Sequence, residues 1–418
     1  MTLARPTGAL VTLFVLAGCD IVTPGAPGEE EIRAGTIEGM TSSQVRQHLA
    51  GDEEFGRVFG VADGLGPVFV AASCEQCHAG DGPGHPVFNL QRFGRYTPDG
   101  FDPLIHLGGP QLQHRAIPGY PAEIVPAEAT GLTTFTPPGV TGLGFLDALE
   151  DQTLLDLADP DDSNGDGISG RLQLLEPSEV IEEAIALERA GSPDRFARGT
   201  LVDGRYIGRF GKKGLTVNLL HQTVGAYQQD MGITSDLLSE DLFTPGAGAR
   251  ASDDVADPEV SSAAVANVVF YLKTLRAPSR REAADAEVLA GEQIFQGIGC
   301  AACHVPTLRT GASEIEVLDR VEFHPYTDLL LHDMGPELDD GYTEGRAFSS
   351  EWRTPPLWGI GLHEAFQGGR AFFLHDGRAG TLEEAIELHG GEGSAARDAF
   401  SELSPDDRAR LIRFLRSL

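Results

Sequence analysis

Two stretches of the chain carry the same amphipathic period. Apolar residues recur at Val265, Val268, Val269, Leu272 and Leu275, and again at Leu411, Ile412, Leu415 and Leu418, each a helical stripe. The segments align as Val269-Phe-Tyr-Leu-Lys-Thr-Leu275 and Ile412-Arg-Phe-Leu-Arg-Ser-Leu418. Two related closing helices are therefore predicted. Asp257-Pro258-Glu259 reads as the cap, first-turn proline and acidic start of the first, and Ser404-Pro405-Asp406-Asp407 as that of the second. Thr381-Leu382-Glu383-Glu384 is a capping box opening a further helix, with His389 eight residues after Thr381. Thr223 is read as opening a matching helix, with Met231 eight residues after it.

A different pattern marks the N-terminus. Arg5 precedes an apolar run, Leu10–Leu16, too short to span a membrane as a mature helix. Leu16-Ala17-Gly18-Cys19 follows, and it resembles the lipobox of bacterial lipoproteins, in which Cys19 becomes the lipidated N-terminus. The alternative is an ordinary signal peptide with an incidental cysteine. Residues 19–41 are acidic and rich in Gly and Pro, as a flexible tether is. No other stretch reaches 18 apolar residues. The expectation is a soluble body in the bacterial cell envelope, facing the periplasm and touching the membrane through its lipid anchor only.

Cysteine placement supplies the chemistry. Apart from Cys19, four of the five cysteines fall in Cys74-Glu75-Gln76-Cys77-His78 and Cys300-Ala301-Ala302-Cys303-His304. A Cys-x-x-Cys pair alone could form a disulfide, a redox centre or a zinc site. The histidine after each pair separates these readings, because Cys-x-x-Cys-His is the attachment signature of c-type haem. Two thiols bond the porphyrin, and His78 or His304 reaches the iron. Two covalently bound c-type haems are expected. Each motif followed by a closing helix implies a cytochrome unit, so the fold class is mainly α, with two cytochrome c-like helical domains over 42–278 and 279–418. His78 lies much farther from Leu275 than His304 does from Leu418, so the first domain carries a long loop-rich insertion. Gly (52) and Pro (26) are frequent enough to build it.

The second axial ligand decides whether a haem carries electrons or does chemistry. The repeat assigns His389 to haem 2 and Met231 to haem 1. Core packing remains open for Met231, and a helix C-terminal cap for His389. His332 and Met334 compete as ligands, and His375 is read as lining the haem or interdomain region. Trp352 and Trp358 either pack against porphyrin or relay an electron. In the insertion, Asp162, Asn164 and Asp166 stand at alternating positions before Gly167, with the Ile168 carbonyl next, as in an EF-hand-like calcium loop. Gln173 stands where a bidentate Glu would complete it, and a plain Asp/Asn/Gly turn is the competing reading.

Lys and Arg number 31 against 63 Asp and Glu, a net charge of −32. That balance excludes a phosphate-backbone binder and suits docking with a small basic electron-transfer protein.

Gly64-Leu-Gly-Pro-Val-Phe, Cys74–His78, Asp230-Met-Gly-Ile-Thr-Ser235, Tyr326-Thr-Asp-Leu-Leu-Leu-His-Asp-Met-Gly335 and Glu351-Trp-Arg-Thr-Pro-Pro-Leu-Trp358 together resemble the bacterial di-haem oxidoreductase family, described as peroxidases or as thiol oxidoreductase-like. The resemblance runs over roughly residues 50–418. Thr354-Pro-Pro-Leu, Phe373-Leu-His-Asp-Gly and Thr381-Leu-Glu-Glu-Ala resemble, more distantly, the second domain of di-haem cytochrome c peroxidases. It implies a peroxidase-like reaction with peroxide or another small oxidant, electron transfer between the haems, and calcium near the haem interface. Where those peroxidases place a methionine ligand, this chain has His389, which implies a bis-histidine haem 2 of lowered potential. The alternative is a non-catalytic electron-transfer cytochrome.

Overall fold

The structure is a computed structural model that describes residues 35–98, 100–191, 198–243, 245 and 253–418. The expected signal segment 1–18, Cys19 and most of the 19–41 tether lie outside the described residues. Among the described residues no helix is long and apolar enough to cross a membrane.

Twelve α-helices occur among them: α1 Ser42–Phe55, α2 Cys74–Cys77, α3 Leu143–Asp147, α4 Asp151–Leu157, α5 Glu179–Gly191, α6 Leu219–Met231, α7 Ser262–Thr274, α8 Ala286–Gly297, α9 His363–Phe366, α10 Leu382–Glu387, α11 Ser394–Glu402 and α12 Pro405–Ser417. Helix amounts to 37% of the described residues and strand to 13%. Helices outweigh strands, but by less than a mainly α fold implies, and loop is the commonest state.

The two closing helices are α7 and α12, and each crosses a partner that the periodicity did not reveal. α1 packs on α7, and α8 on α12. At each crossing the partner contributes a glycine. A Cβ on Gly51 would lie 2.1 Å from the Asn267 carbonyl, and one on Gly291 would lie 2.1 Å from that of Arg410. Only a residue without a side chain allows backbones so close. Tyr271 and Phe414 occupy corresponding places beside these glycines. The crossings are thus copies of one design.

The predicted starts fared differently. Ser404 does cap α12, accepting from the Asp407 amide, with Pro405 in the first turn. α7 instead begins at Ser262, capped by Ser261. Asp257 and Glu259 are engaged elsewhere, by Thr234. α6 begins at Leu219 with Asn218 as its cap, so Thr223 is internal rather than the opening residue.

One apolar core gathers Phe55, Leu146, Leu149, Leu219, Val268, Leu272 and Leu275, together with Leu308, Phe323 and Leu329. The last three come from beyond residue 279, so the halves share a core. A second core holds Val288, Phe295, Leu382, Phe400, Leu411, Phe414 and Leu415. Phe414 and Leu411 are wholly buried there, each contributing about 2 kcal/mol by removal from water. The insertion adds short antiparallel sheets. Strand Leu90–Thr97 pairs with Gly131–Phe135, Leu90 facing Phe135, and this pairing carries the chain into Pro137-Pro138 beside the first cysteine motif. Strand Leu331–Asp333 pairs with Glu351–Arg353, which sets His332 opposite Trp352.

Candidate haem-binding site

In the first motif, α2 is a single helical turn. Ser73 caps it, accepting from the Gln76 amide at 3.3 Å, and the Ala72 amide donates back to Gln76 Oε1 at 2.8 Å. Residues three apart on a turn share a face, so Cys74 and Cys77 project together. The His78 amide donates to the Cys74 carbonyl, which holds His78 at the helix end. The second motif follows Gly299, whose φ of 92° sets the turn, and the His304 amide donates to the Cys300 carbonyl at 3.0 Å. All four cysteines are free thiols. Burial pushes Cys74, Cys77 and Cys300 up to about 12, so they are held as neutral thiols.

The imidazoles are set in a common way. His78 Nδ1 lies 2.8 Å from the Pro138 carbonyl, and His304 Nδ1 lies 3.0 Å from that of Tyr326. A carbonyl only accepts, so Nδ1 carries the proton and Nε2 keeps its lone pair. Burial pushes both residues down to about 4, with the neighbouring His389 adding to the shift of His304. Each therefore stays a neutral imidazole. A phenyl ring stands 6.2 Å from each, Phe55 for His78 and Phe295 for His304. These phenylalanines come from the glycine-bearing helices α1 and α8.

His389 lies two residues beyond α10, and its Nδ1 lies 2.7 Å from the Ala385 carbonyl. The two roles left open for it use different nitrogens: Nδ1 caps the helix, and Nε2 remains available. His389 acts on His304 electrostatically, so two neutral imidazoles stand near each other beside Cys300 and Cys303. Met231 ends α6 and is 2% exposed, in a cluster with Leu65, Val224 and Tyr227. Cys74 packs against that same cluster. The charged group acting on His78 is the Lys212 ammonium.

His332 is differently placed. Nδ1 lies 2.7 Å from Glu392 and Nε2 lies 2.8 Å from Asp328. Burial opposes its charge, but hydrogen bonds to Asp328, Cys303 and Glu392 prevail and push it up to about 12. An imidazolium has no lone pair, so His332 is clamped rather than poised to bind a metal. Glu392 also accepts from the amide and hydroxyl of Ser169, tying the insertion to the second motif. Met334 lies nearby, its Cε close to where a Gly393 side chain would start. His375 stacks on Trp352 with ring centroids 3.6 Å apart and planes at 10°. The Lys213 ammonium sits 3.8 Å above Trp352 and donates to three backbone carbonyls. Trp358 lies instead in the first core, near Phe323. Burial, then Arg353, pushes Lys212 down to about 8; burial pushes Arg353 down to about 10. Neither has an ion pair among the described residues.

In the acidic loop, the Gly167 amide donates to both Asp162 oxygens at 3.2 Å, that of Asp166 to Asn164 at 2.8 Å, and that of Ile168 to Asp166 at 2.9 Å. These oxygens are engaged by the loop's own backbone. The clamp, the stack and the carbonyls of Pro138 and Tyr326 gave no signal in the sequence. The clamp and the stack join residues distant along the chain, and a carbonyl is common to every residue type.

Paired thiols beside a neutral imidazole with a free Nε2 fit a covalently attached haem, twice over. The di-haem family is reached by comparison as well. The model of the family described as "Di-haem oxidoreductase, putative peroxidase" matches residues 130–418. The chain belongs to this family of di-haem oxidoreductases. Among solved structures, the hydrazine synthase of Kuenenia stuttgartiensis aligns at 14% identity over 99% of this chain and 100% of that one, with a TM-score of 0.38. A MauG-like protein associated with microbial copper homeostasis aligns at 15% identity over 72% and 94%, with a TM-score of 0.29. Both scores are too low to carry an argument. No curated protein matches.

Proposed function

We propose that the chain is a periplasmic di-haem c-type oxidoreductase with peroxidase-like chemistry, anchored by lipid at Cys19. Cys74 and Cys77 would hold one haem and Cys300 and Cys303 the other, with His78 and His304 on the irons. The single observation that carries the reading is the inequality of the two sites. His304 has His389, whose Nε2 is left open, among the groups acting on it, together with Asp328 and His332, whereas the side-chain group acting on His78 is the Lys212 ammonium. Haem 2 would then be a six-coordinate electron carrier, and haem 1 the site where a small oxidant is met. When bound, the haems supply one-electron redox steps and, at an open iron position, binding of a small oxidant.

The chain's own residues set the conditions. Pro138 and Tyr326 keep His78 and His304 in the tautomer that binds iron. Lys212 and Arg353, half-buried cations that form no ion pair among the described residues, would pair with haem carboxylates. Peroxide would take up two electrons and two protons and leave as two waters, the electrons arriving from a small basic electron-transfer protein. The Asp162–Ile168 loop would bind calcium by exchanging its internal amide bonds for the cation.

One observation favours a second reading, an electron-transfer cytochrome without catalysis. Met231 shares its apolar cluster with Cys74, which suits a thioether ligand closing haem 1. Optical and EPR spectra of the oxidised and half-reduced protein, before and after peroxide, decide between them. Peroxidase chemistry requires a high-spin or peroxide-responsive signal from one haem, which Met231→Ala leaves intact. Low-spin signals throughout, with a high-spin signal only in Met231→Ala, establish the second reading. His389→Ala should turn haem 2 high-spin; an unchanged spectrum removes His389 as its ligand.

A further inference from the structure

Three carboxylates with no part in the haem sites converge between α6 and α7. Candidate ligand oxygens of Asp241, Asp253 and Glu259 all lie within 4.8 Å of one another. Asp241 follows α6 and its turn; Asp253 and Glu259 precede α7. Asp253 is only 4% exposed. Its Oδ1 accepts from the Val255 amide at 2.7 Å, while its Oδ2 is buried and has no hydrogen-bond partner. Glu259 divides its oxygens in the same way. Oε2 accepts from the amide and hydroxyl of Thr234, at 2.6 and 2.5 Å, and Oε1 is buried without a partner. In each, one oxygen is fixed by the protein and the other is buried with no hydrogen bond among the described residues.

Such an arrangement is costly as it stands. A buried carboxylate without a counter-charge is destabilising. The neighbouring charges acting on Asp253 are Asp257 and Asp254, both acidic, and burial pushes the Asp253 and Glu259 carboxyls up. Among the described residues, no side-chain base is among the groups acting on either. A cation removes the penalty, and the donor set selects it. All-oxygen, anionic ligands favour a hard ion over zinc or copper. Ca2+ takes six to eight oxygens in flexible geometry, whereas Mg2+ is usually held by one or two carboxylates and keeps several waters, so three converging carboxylates suit calcium.

We propose that Asp241, Asp253 and Glu259 form a calcium site, separate from the Asp162–Ile168 loop. The ion joins the segment before α7 to the turn after α6 through Glu259 and Thr234. That turn begins at Met231, and the preceding Asp230 carbonyl accepts from the amides of Val70 and Ala71, just ahead of the first cysteine motif. Calcium here therefore braces the frame that presents Cys74.

The test uses the full haem-loaded protein, stripped with a chelator and titrated with CaCl2 while bound metal and thermal unfolding are measured. Wild type should bind calcium and gain about 5 °C in Tm. Asp253→Asn and Glu259→Gln should each lose about one equivalent and most of that gain, whereas Asp162→Asn should lose only the loop's own equivalent and keep most of that gain. No calcium uptake by wild type, with no Tm response, overturns the proposal and assigns the buried charge to a shared proton. Complete loss in Asp162→Asn overturns it too, by placing all bound calcium in the loop. Should Asp253→Asn fail to accumulate, Glu259→Gln combined with Asp162→Asn is compared with Asp162→Asn alone, and equal calcium binding in those two proteins refutes the site.

Discussion

A histidine's role in this chain follows from what its two nitrogens meet. His78, His304 and His389 each place Nδ1 on a carbonyl and leave Nε2 free. His332 meets a carboxylate on both sides and is held as a cation. The sequence offers the same residue type at all four positions, and the Cys-x-x-Cys-His spacing singles out only the first two. The same logic governs Asp147 of α3. Burial alone would raise its pKa, but Lys273, with Nζ 2.9 Å away, and Arg198 bring it from 3.8 down to about 2. It also accepts from the Leu219 amide at the start of α6. A carboxyl lowered in the folded state stabilises above its unfolded pKa and loses that contribution as pH falls through the folded one. Asp147→Asn should therefore cost about 3 kcal/mol near neutral pH. Urea unfolding should show the deficit shrinking between about pH 4 and pH 2. A deficit that stays constant over that window would contradict the assignment.

At the scale of elements, the two helix crossings carry the architecture. α7 and α12 were legible because each buries a regular stripe. Their partners were not: α1 and α8 contribute few apolar residues to the crossing and rely on Gly51 and Gly291 for close approach. A glycine within a helical pattern gives no hint that it marks a contact. Substituting alanine at either position should force the backbones apart and destabilise by about 1–3 kcal/mol. Gly225 of α6 provides the control, since its added Cβ would meet nothing within 4 Å. There alanine should be neutral or stabilising by up to about 1 kcal/mol. Thermal unfolding of the three variants checks this, and a tolerated Gly51→Ala would show that the crossing is looser than described.

For the whole molecule, the net charge of −32 bears on association rather than on folding. If a small basic carrier delivers electrons, its association rate should fall about tenfold or more from 10 mM to 200 mM salt, since the Debye length shrinks from roughly 30 Å to below 10 Å. Stopped-flow reduction by a basic cytochrome at several ionic strengths measures it. A salt-independent rate would count against electrostatic docking.

The sequence by itself determined the two cysteine motifs, the internal repeat and the closing helices. Each is written in local spacing, and spacing along the chain is enough to specify it. Only the tertiary structure decided that His389 stands by His304 while Lys212 acts on His78. It also decided that His332 is clamped between acids, that the two halves share a core, and that Asp241, Asp253 and Glu259 meet. Those outcomes depend on which side chains from distant segments are buried together, and on the cost of burying polar groups unpaired. Neither is fixed by any local pattern.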